Sequence, residues 1–216
     1  MGRLLDAEMG MGMNDKFFDL KKEKQDRMIN AALKIFALKG YEHASTDDIV
    51  REAGISKGLL FHYFISKLGL YTFIYDYSVR YLMLELSTGV TGKEADFFDL
   101  IWQIVSAQIQ MMHNYPYMLQ FLNSSEREDV GEALMATEEK RDILPGRYSQ
   151  IMEKANRERF NRNVDVDKLA RIISFTISGL LSEQLYNGSF QPDLFGGEVR
   201  GYLEQLKKMA YQEVRT

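Results

Sequence analysis

The chain has 216 residues, of which 45% are hydrophobic, and a formal net charge of −4. This composition predicts a folded globular protein and excludes a disordered chain. The absence of cysteine excludes disulfides and thiolate metal sites, and it is compatible with the reducing cytoplasm where we expect the protein to act. No apolar run approaches the ~18 residues that a membrane span needs, so no membrane partner is expected. Residues 1–20 have no secretory pattern and are expected to form a frayed tail.

Charge is distributed unevenly along the chain. Residues 21–70 contain nine Lys and Arg against six Asp and Glu, a net +3, whereas residues 71–216 carry −5. A basic segment on an acidic protein favours a module that faces nucleic acid, because phosphates attract such a surface. The same balance is common in modules without that role.

Helical periodicity dominates the N-terminal third of the chain. Apolar residues recur at helical spacing from Ile29 to Phe36, which predicts an amphipathic helix over residues 22–39 that ends at Gly40. A second, short helix begins at Thr46, whose hydroxyl is expected to cap it.

Two further helix starts follow closely. Gly54 ends the second helix, because glycine tolerates the left-handed conformation of a C-cap. Ser56 is expected to cap a third, short helix, and Ser66 a long one that runs from Lys67 into the eighties. The order is therefore a long helix, two short helices joined by a tight turn, and another long helix.

The remainder of the chain is also helical in pattern. Residues 97–112 are apolar on every face, which predicts a helix buried between others. The charged segment 126–159 is expected to form two helical pieces or one kinked helix, with the interruption at Pro145 and Gly146. Two last helices are predicted, over residues 167–186 and 199–212. The predicted fold is therefore all-α.

Residues 45–64 have the pattern of a helix-turn-helix. Gly54 supplies the turn, and Ile55 is expected to pack between the two helices. Leu60 and Phe64, four residues apart, would face inward. The residues expected on or beside the outward face are Lys57, Gly58, Leu59, His62 and Tyr63.

At this point the sequence resembles the N-terminal domain of the TetR family of bacterial transcriptional regulators. The resemblance lies in the stretch IVREAGISKGLLFHYFISK and in the upstream stretch INAALKIFALKGYEHAST, and it covers about residues 25–70. The family commonly has a small residue at the position of Leu59, Tyr at that of Phe61 and an acid at that of Leu68. These departures indicate that this chain reads a different base sequence.

The resemblance implies a division into a tail over residues 1–20, a DNA-binding domain over 21–67 and a helical effector-binding and dimerisation domain over 68–216. The implied DNA-facing residues are Thr46, Ser56, Lys57, Gly58, Leu59, Phe61, His62, Tyr63 and Lys67. Helix starts attract phosphate, and an apolar side chain suits a thymine methyl. Each residue also has a purely structural interpretation, as a helix cap, a solvated side chain or a half-buried ring.

A homodimer is expected because a single domain at +3 would bind DNA weakly. Two copies double the phosphate contacts and set a half-site spacing of about 34 Å or a multiple of it. The last two helices are the predicted interface, through Leu169, Ile172, Ile173, Thr176, Gly179 and Leu180. Some of these residues are equally compatible with an intrachain core.

The family resemblance also implies an effector cavity in the C-terminal domain. Large, adaptable side chains and one amide are the candidate lining residues: Trp102, Gln108, Met112, Phe121, Tyr148 and Phe175. Ordinary core packing is an alternative for each. The expected ligand is a small apolar or aromatic molecule.

The predicted function is that of a ligand-responsive transcriptional regulator, a repressor that binds a palindromic double-stranded operator as a dimer and is released by its effector. The alternative is a helical small-molecule-binding protein with weak, non-specific DNA affinity. An enzyme is not expected, because the three histidines lie far apart and no nucleophile elbow or phosphate-binding glycine loop is present. No metal or cofactor is predicted.

Overall fold

The computed structural model describes residues 15–90 and 96–212. The described residues form helices without any strand, and the all-α prediction is confirmed. In chain order the helices are α1 (Asp15–Phe18), α2 (Lys22–His43), α3 (Thr46–Ala53), α4 (Lys57–Phe64), α5 (Lys67–Gly89), α6 (Phe97–Asn114), α7 (Met118–Ser125), α8 (Gly131–Arg141), α9 (Ile143–Met152), α10 (Val166–Tyr186) and α11 (Pro192–Ala210). In the described ranges no helix is both long and apolar enough to cross a membrane.

The helices pack into two units. The first unit contains residues 15–81 together with 117–142 of the described chain. Its core is strongly aromatic: Phe36 packs edge-on against Tyr71 at 5.1 Å between ring centroids, and Phe121 of α7 contacts both rings. This division by packing differs from the predicted functional boundary at residue 67, which stays a prediction.

A second feature joins α8 to the first unit. Glu128, just before α8, accepts a hydrogen bond from the Tyr41 backbone N–H at 2.9 Å, and Glu132 of α8 accepts one from the Tyr41 hydroxyl at 2.5 Å. Burial and the hydrogen bond to Glu132 raise the pKa of Tyr41 well above its usual range. The charged helix α8 is therefore anchored to the end of α2.

The second unit contains residues 82–90, 96–116 and 143–212 of the described chain. Asp96 caps α6 by accepting from the Phe98 N–H at 3.0 Å, and it also accepts from Lys207 and Tyr211 at 2.9 and 3.0 Å. These bonds tie the start of α6 to the end of α11. Gly196 brings α11 close to α6, since a Cβ atom there would lie 2.7 Å from Ile109 Cδ1.

Several predicted helix ends need correction. The helix breaks at Gly40, as predicted, because Gly40 has φ 67° and ψ 177°, but a short helical segment continues beyond it to His43. Ser45, not Thr46, caps α3, and its hydroxyl accepts from the Asp47 N–H at 3.1 Å. The charged segment forms two helices, α8 and α9, but they are separated at Asp142. Pro145 lies in the first turn of α9, where a missing N–H costs nothing.

Two predictions about the ends of the chain also change. The expected frayed tail does not extend through residue 20, because Phe17 of α1 is fully buried. Residues 1–14 lie outside the described residues. The last helix begins at Pro192 and ends at Ala210, so it starts earlier than the predicted residue 199 and ends before the predicted residue 212.

Candidate nucleic-acid interface

Helices α3 and α4 form the predicted helix-turn-helix. Gly54 ends α3 in the left-handed conformation, with φ 63° and ψ 43°. This conformation lets the Ile55 N–H donate to the Val50 carbonyl at 3.0 Å, which closes the turn. Ser56 caps α4 by accepting from the Leu59 N–H at 3.2 Å, as the sequence predicted. The angle between the two short helices is thus set by backbone bonds and one serine.

Helix α4 has one buried side and one open side. Leu60 and Phe64, the predicted inward residues, are buried in the first unit. Their burial holds the helix onto the unit while the intervening residues face outward. Lys57, Gly58 and His62 are exposed, and Leu59, Phe61 and Tyr63 are half-buried. The predicted recognition-helix residues therefore share one accessible side.

Gly58 has no packing reason to be glycine. A Cβ atom at this position would meet nothing within 4 Å, and its φ is not in the left-handed region. In a helix interior glycine costs about 1 kcal/mol relative to alanine. The space above Gly58 is open to a molecule that approaches the helix backbone closely.

Lys57 is held by a carboxylate across the turn. Its ammonium lies 2.8 Å from Asp47 Oδ1 in the first turn of α3, and both side chains are more than half exposed. An exposed pair of this kind is weak and exchangeable. Phosphate oxygens can replace Asp47 as the partner of Lys57 when DNA binds.

Lys67 has a different environment from the one that the sequence predicted. Its ammonium donates to the carbonyl oxygens of Tyr41, Glu42 and Ala44 at 2.9, 3.3 and 3.4 Å, and it lies 4.3 Å from the Tyr41 ring centroid. An ammonium has three donors, and these carbonyls use all of them. Lys67 therefore caps the end of α2, and we leave its side chain out of the DNA-facing set.

The other helix starts in the predicted set keep their backbone groups available. Thr46 is the first residue of α3 and is half-buried, while Ser45 does the capping. Ser56 is exposed and uses its hydroxyl for the cap of α4. Both positions present helix N-termini, where N–H groups and the helix dipole favour anions.

The end of α4 is a tight turn that sequence reasoning missed. Ile65 has φ 62° and ψ −46°, and the Ser66 N–H donates to the Phe64 carbonyl at 2.6 Å, which forms a γ-turn. Gly69 is required just beyond it, since a Cβ atom there would lie 2.2 Å from the Phe64 carbonyl oxygen. This close approach is a steric reason for glycine at position 69.

Most basic side chains of residues 21–70, the segment that contains the helix-turn-helix and is called the head below, are already paired. Five of the nine Lys and Arg of residues 21–70 form ion pairs within the first unit: Lys22 with Asp26, Lys34 with Glu52, Lys39 and Arg51 with Asp48, and Lys57 with Asp47. The Lys39 hydrogen bond lowers the pKa of Asp48, so this carboxylate stays charged. The local positive field is therefore modest.

The predicted effector residues are only partly brought together. Gln108 of α6 donates to the Tyr148 hydroxyl of α9 at 3.0 Å, and Met112 is fully buried in the same unit. Trp102 is half-buried there with the Arg200 guanidinium 5.2 Å from its ring.

Two residues do not belong to this effector set. Phe121 is a core residue of the first unit, where it packs against Phe36, Tyr71 and Tyr75. Phe175 is 66% exposed, on the outer side of α10. The sequence identified both as large apolar side chains, and size alone does not say which surface they occupy.

The predicted interface residues divide by burial. Leu169 and Ile173 are buried within the second unit and therefore belong to the intrachain core. Ile173 also lines a groove between α10 and α11 with Val199 and Leu203. Ile172 and Gly179 are exposed, and Thr176 and Leu180 are half-buried. The same two helices expose further large apolar side chains: Phe175, Tyr186, Leu194, Tyr202 and Met209.

No group of three or more His, Cys, Asp or Glu in the described ranges is placed to hold a metal ion.

Comparison with known proteins gives a family match for the segment that contains the helix-turn-helix. Residues 28–72 match the family described as "Bacterial regulatory proteins, tetR family". The HTH-type transcriptional regulator YuxN of Bacillus subtilis (strain 168) is 45% identical over 59 residues, 26% of this chain and only 20% of YuxN. The HTH-type transcriptional regulator AcrR of Shigella flexneri is 21% identical over 194 residues, 87% of this chain and 89% of AcrR.

Solved structures share the fold over most of the chain. The ketosteroid transcriptional regulator KstR2 of Mycobacterium tuberculosis has a TM-score of 0.66 at 16% identity, over 90% of this chain and 97% of that one. A TetR-family transcriptional regulator from Chloroflexus aurantiacus J-10-FL has a TM-score of 0.61 at 18% identity, over 94% and 100%. The similarity of fold to these structures therefore extends beyond residues 28–72 to the remaining helices of the chain.

Proposed function

We propose that this chain, whose residues 28–72 match the TetR family of bacterial transcriptional regulators, is a TetR-family repressor that binds a palindromic operator as a dimer. A small apolar or aromatic effector releases it from the DNA. As a regulator of this family it is not an enzyme.

The observation that carries the proposal is the two-sided helix α4. Leu60 and Phe64 are buried, whereas Lys57, Gly58 and His62 are exposed on a helix of only eight residues. A recognition helix needs this arrangement, because one side must stay fixed to the protein while the other enters the major groove.

Three kinds of contact are proposed for the outward side. Lys57 exchanges Asp47 for phosphate or a guanine edge, and Leu59 meets a thymine methyl. His62, Tyr63 and the half-buried Phe61 contact sugar, phosphate or base edges. Thr46 and Ser56 present helix N-termini to phosphates.

Dimerisation is supported by the weak field of one head and by the exposed apolar side of α10 and α11. Phe175 and Tyr202 are 66% and 47% exposed, although large apolar side chains are usually buried. Packing α10 and α11 against the same helices of a second copy would bury them in a four-helix interface. Ile172, Thr176, Gly179 and Leu180 would then contact the partner, as proposed from the sequence.

The proposed effector site lies around Gln108 and Tyr148. Their mutual hydrogen bond joins α6 to α9, and the buried Met112 and the half-buried Trp102 also lie on α6. A few polar groups in apolar surroundings are typical of small-molecule sites. An effector acts on DNA affinity only by as much as it prefers one conformation over another.

A fluorescence anisotropy titration tests the proposal. The labelled duplex is the DNA upstream of the protein's own coding region, and a shuffled duplex of the same composition is the control, each at about 50 and 200 mM salt. We expect the upstream duplex to bind at least about 10³-fold more tightly, and Lys57→Ala or His62→Ala to reduce that preference. Equal affinity for the two duplexes would contradict operator recognition and favour a small-molecule-binding protein with non-specific DNA affinity.

A further inference from the structure

The segment before the family match packs directly against the recognition helix. Phe17 lies in α1, eleven residues before residue 28, where the match begins. Its side chain is fully buried, and its ring lies 5.2 Å from Phe64 and 5.2 Å from Phe73. The helix-turn-helix core thus includes a residue that the family match does not cover.

The loop after α1 is fixed by a buried amide. The Gln25 side chain is only 3% exposed, and its Nε2 donates to the carbonyl oxygens of Phe18 and Leu20 at 2.9 and 2.8 Å. The Leu20 N–H in turn donates to the Phe17 carbonyl at 3.2 Å. Bonds to both ends of this loop hold Phe17 against the unit.

Phe17 also forms the inner wall for a residue of the DNA-facing set. Its ring packs edge-on against Tyr63, with 5.7 Å between centroids and 76° between planes. Tyr63 is half-buried and packs edge-on against His62 at 4.9 Å. One continuous series of rings therefore runs from α1 to the exposed imidazole.

We propose that Phe17 is a positioning residue for base recognition, which sets the Tyr63 ring and through it the direction of His62. The proposal rests on the proposed operator recognition by α4. Base-edge contacts require side chains placed to within about 0.5 Å. Contacts from flexible lysines to phosphate tolerate far more movement. Loss of the Phe17 ring therefore weakens discrimination between base sequences more than it weakens attraction to DNA in general.

The test compares Phe17→Ala and Phe17→Leu with the wild type in anisotropy titrations on the operator and on a shuffled duplex. We expect Phe17→Ala to lower operator affinity by about two- to tenfold, the range for loss of an aromatic pair. Affinity for the shuffled duplex and the salt dependence should stay unchanged. Phe17→Leu, which retains most of the buried volume, keeps the chain folded. It should lower the ratio of operator affinity to shuffled-duplex affinity by less than Phe17→Ala does.

The ratio of the two affinities separates positioning from simple destabilisation. Partial unfolding lowers the active concentration and so lowers both affinities by the same factor. Phe18→Ala is the matched control, because it removes a ring from the same helix that contacts Phe73 at 6.0 Å and Phe17 at 5.5 Å. We expect it to leave the ratio unchanged.

A double-mutant cycle tests the route through Tyr63. If Phe17 acts through Tyr63, the Phe17→Leu change has no further effect on the ratio once Tyr63→Ala is present. Additive losses, or an unchanged ratio in both Phe17 variants, would overturn the inference while operator recognition stands. A wild type that does not distinguish the two duplexes would overturn the proposed function, and this inference with it.

Discussion

The Lys57 ammonium lies 2.8 Å from a carboxylate oxygen of Asp47, so the first basic side chain of the recognition helix is paired before DNA arrives. The pair joins the first turns of α3 and α4, the two helix starts proposed to face phosphates. An acid here repels the phosphate backbone and competes for Lys57. DNA contacts by Lys57, whether to the operator or to non-specific DNA, must therefore offset the free energy of breaking the Lys57–Asp47 pair.

Asp47→Asn is expected to increase affinity for a shuffled duplex by up to about fivefold, the range of one exposed ion pair. Protein stability should change by less than about 1 kcal/mol, since both side chains are exposed. Anisotropy titrations on a shuffled duplex measure the effect. Asp26→Asn is the control, because it removes the same charge and an ion pair to Lys22 of α2, away from the turn. An equal increase in both variants would show that only net charge matters.

Gly58→Ala should have opposite effects on folding and on DNA binding. A Cβ atom at Gly58 meets nothing within 4 Å of the protein, so the variant gains about 0.5–1 kcal/mol in free energy of unfolding. On operator DNA the added methyl group occupies the space of close backbone approach and should lower affinity. Denaturant unfolding and anisotropy measure the two effects.

Gly146→Ala is the matched control for that experiment. Gly146 is an exposed helical glycine of α9 with equally open space, and it lies outside the proposed DNA surface. It should gain similar stability without any change in operator affinity. Unchanged operator affinity in Gly58→Ala would show that DNA does not approach this turn of α4.

The alternation of Leu60 and Phe64 with Lys57 and His62 was predictable from the sequence because helical spacing is local. The caps at Gly54 and Ser56 were predictable for the same reason. Contacts that join distant segments were not. Nothing near Lys67 in the sequence indicates that the Tyr41 carbonyl oxygen, 26 residues earlier, accepts a hydrogen bond from its ammonium.

The effector and interface residues show a different limit of sequence reasoning. Large apolar residues identify buried positions, but they do not say which core contains them. Phe121 therefore belongs to the aromatic core of the first unit, and Phe175 lies on an exposed surface. The two aromatic residues at positions 17 and 18 were a usable signal that the segment before α2 is packed.

The hydrogen bonds that Asp96 accepts from Lys207 and Tyr211 predict how the stability of the second unit depends on pH. Burial alone would raise the pKa of Asp96, but hydrogen bonds from Lys207, Tyr211 and the Asp99 N–H, with the Lys207 charge, lower it below its ordinary 3.8. A carboxyl group whose pKa is lowered by folding stabilises the folded state at pH values above its pKa in the unfolded chain. That stability is lost as pH falls from about 4 through the folded pKa.

Asp96→Asn should therefore cost about 1–3 kcal/mol at pH 7, because buried hydrogen bonds to a charged group are lost. Denaturant unfolding between pH 7 and 3 should show the difference from the wild type shrinking below pH 4. Asp99→Asn also removes a partner of Lys207, but from a half-exposed site, and should cost less than about 1 kcal/mol. A pH-independent difference for Asp96→Asn would contradict the assignment.

Charge on the outer side of α10 or α11 should disrupt the proposed dimer. Phe175→Glu and Tyr202→Glu each place a carboxylate at an exposed apolar position, and burying it in an interface would leave it without a partner. Sedimentation velocity should show a dimer for the wild type and monomers for both variants. Met135→Glu, at a 74% exposed position of α8, is the control and should remain dimeric. A monomeric wild type would refute the interface.

The most direct test of the central proposal, that the outward side of α4 reads base sequence, is a base-substitution panel. Each base pair of the operator is changed in turn, and the affinity of every duplex is measured for the wild type, Leu59→Ala and His62→Ala. We expect each variant to lose about 1–3 kcal/mol of discrimination at one or two base pairs and to keep it elsewhere. Both variants retaining the full wild-type pattern of preferences would contradict the account.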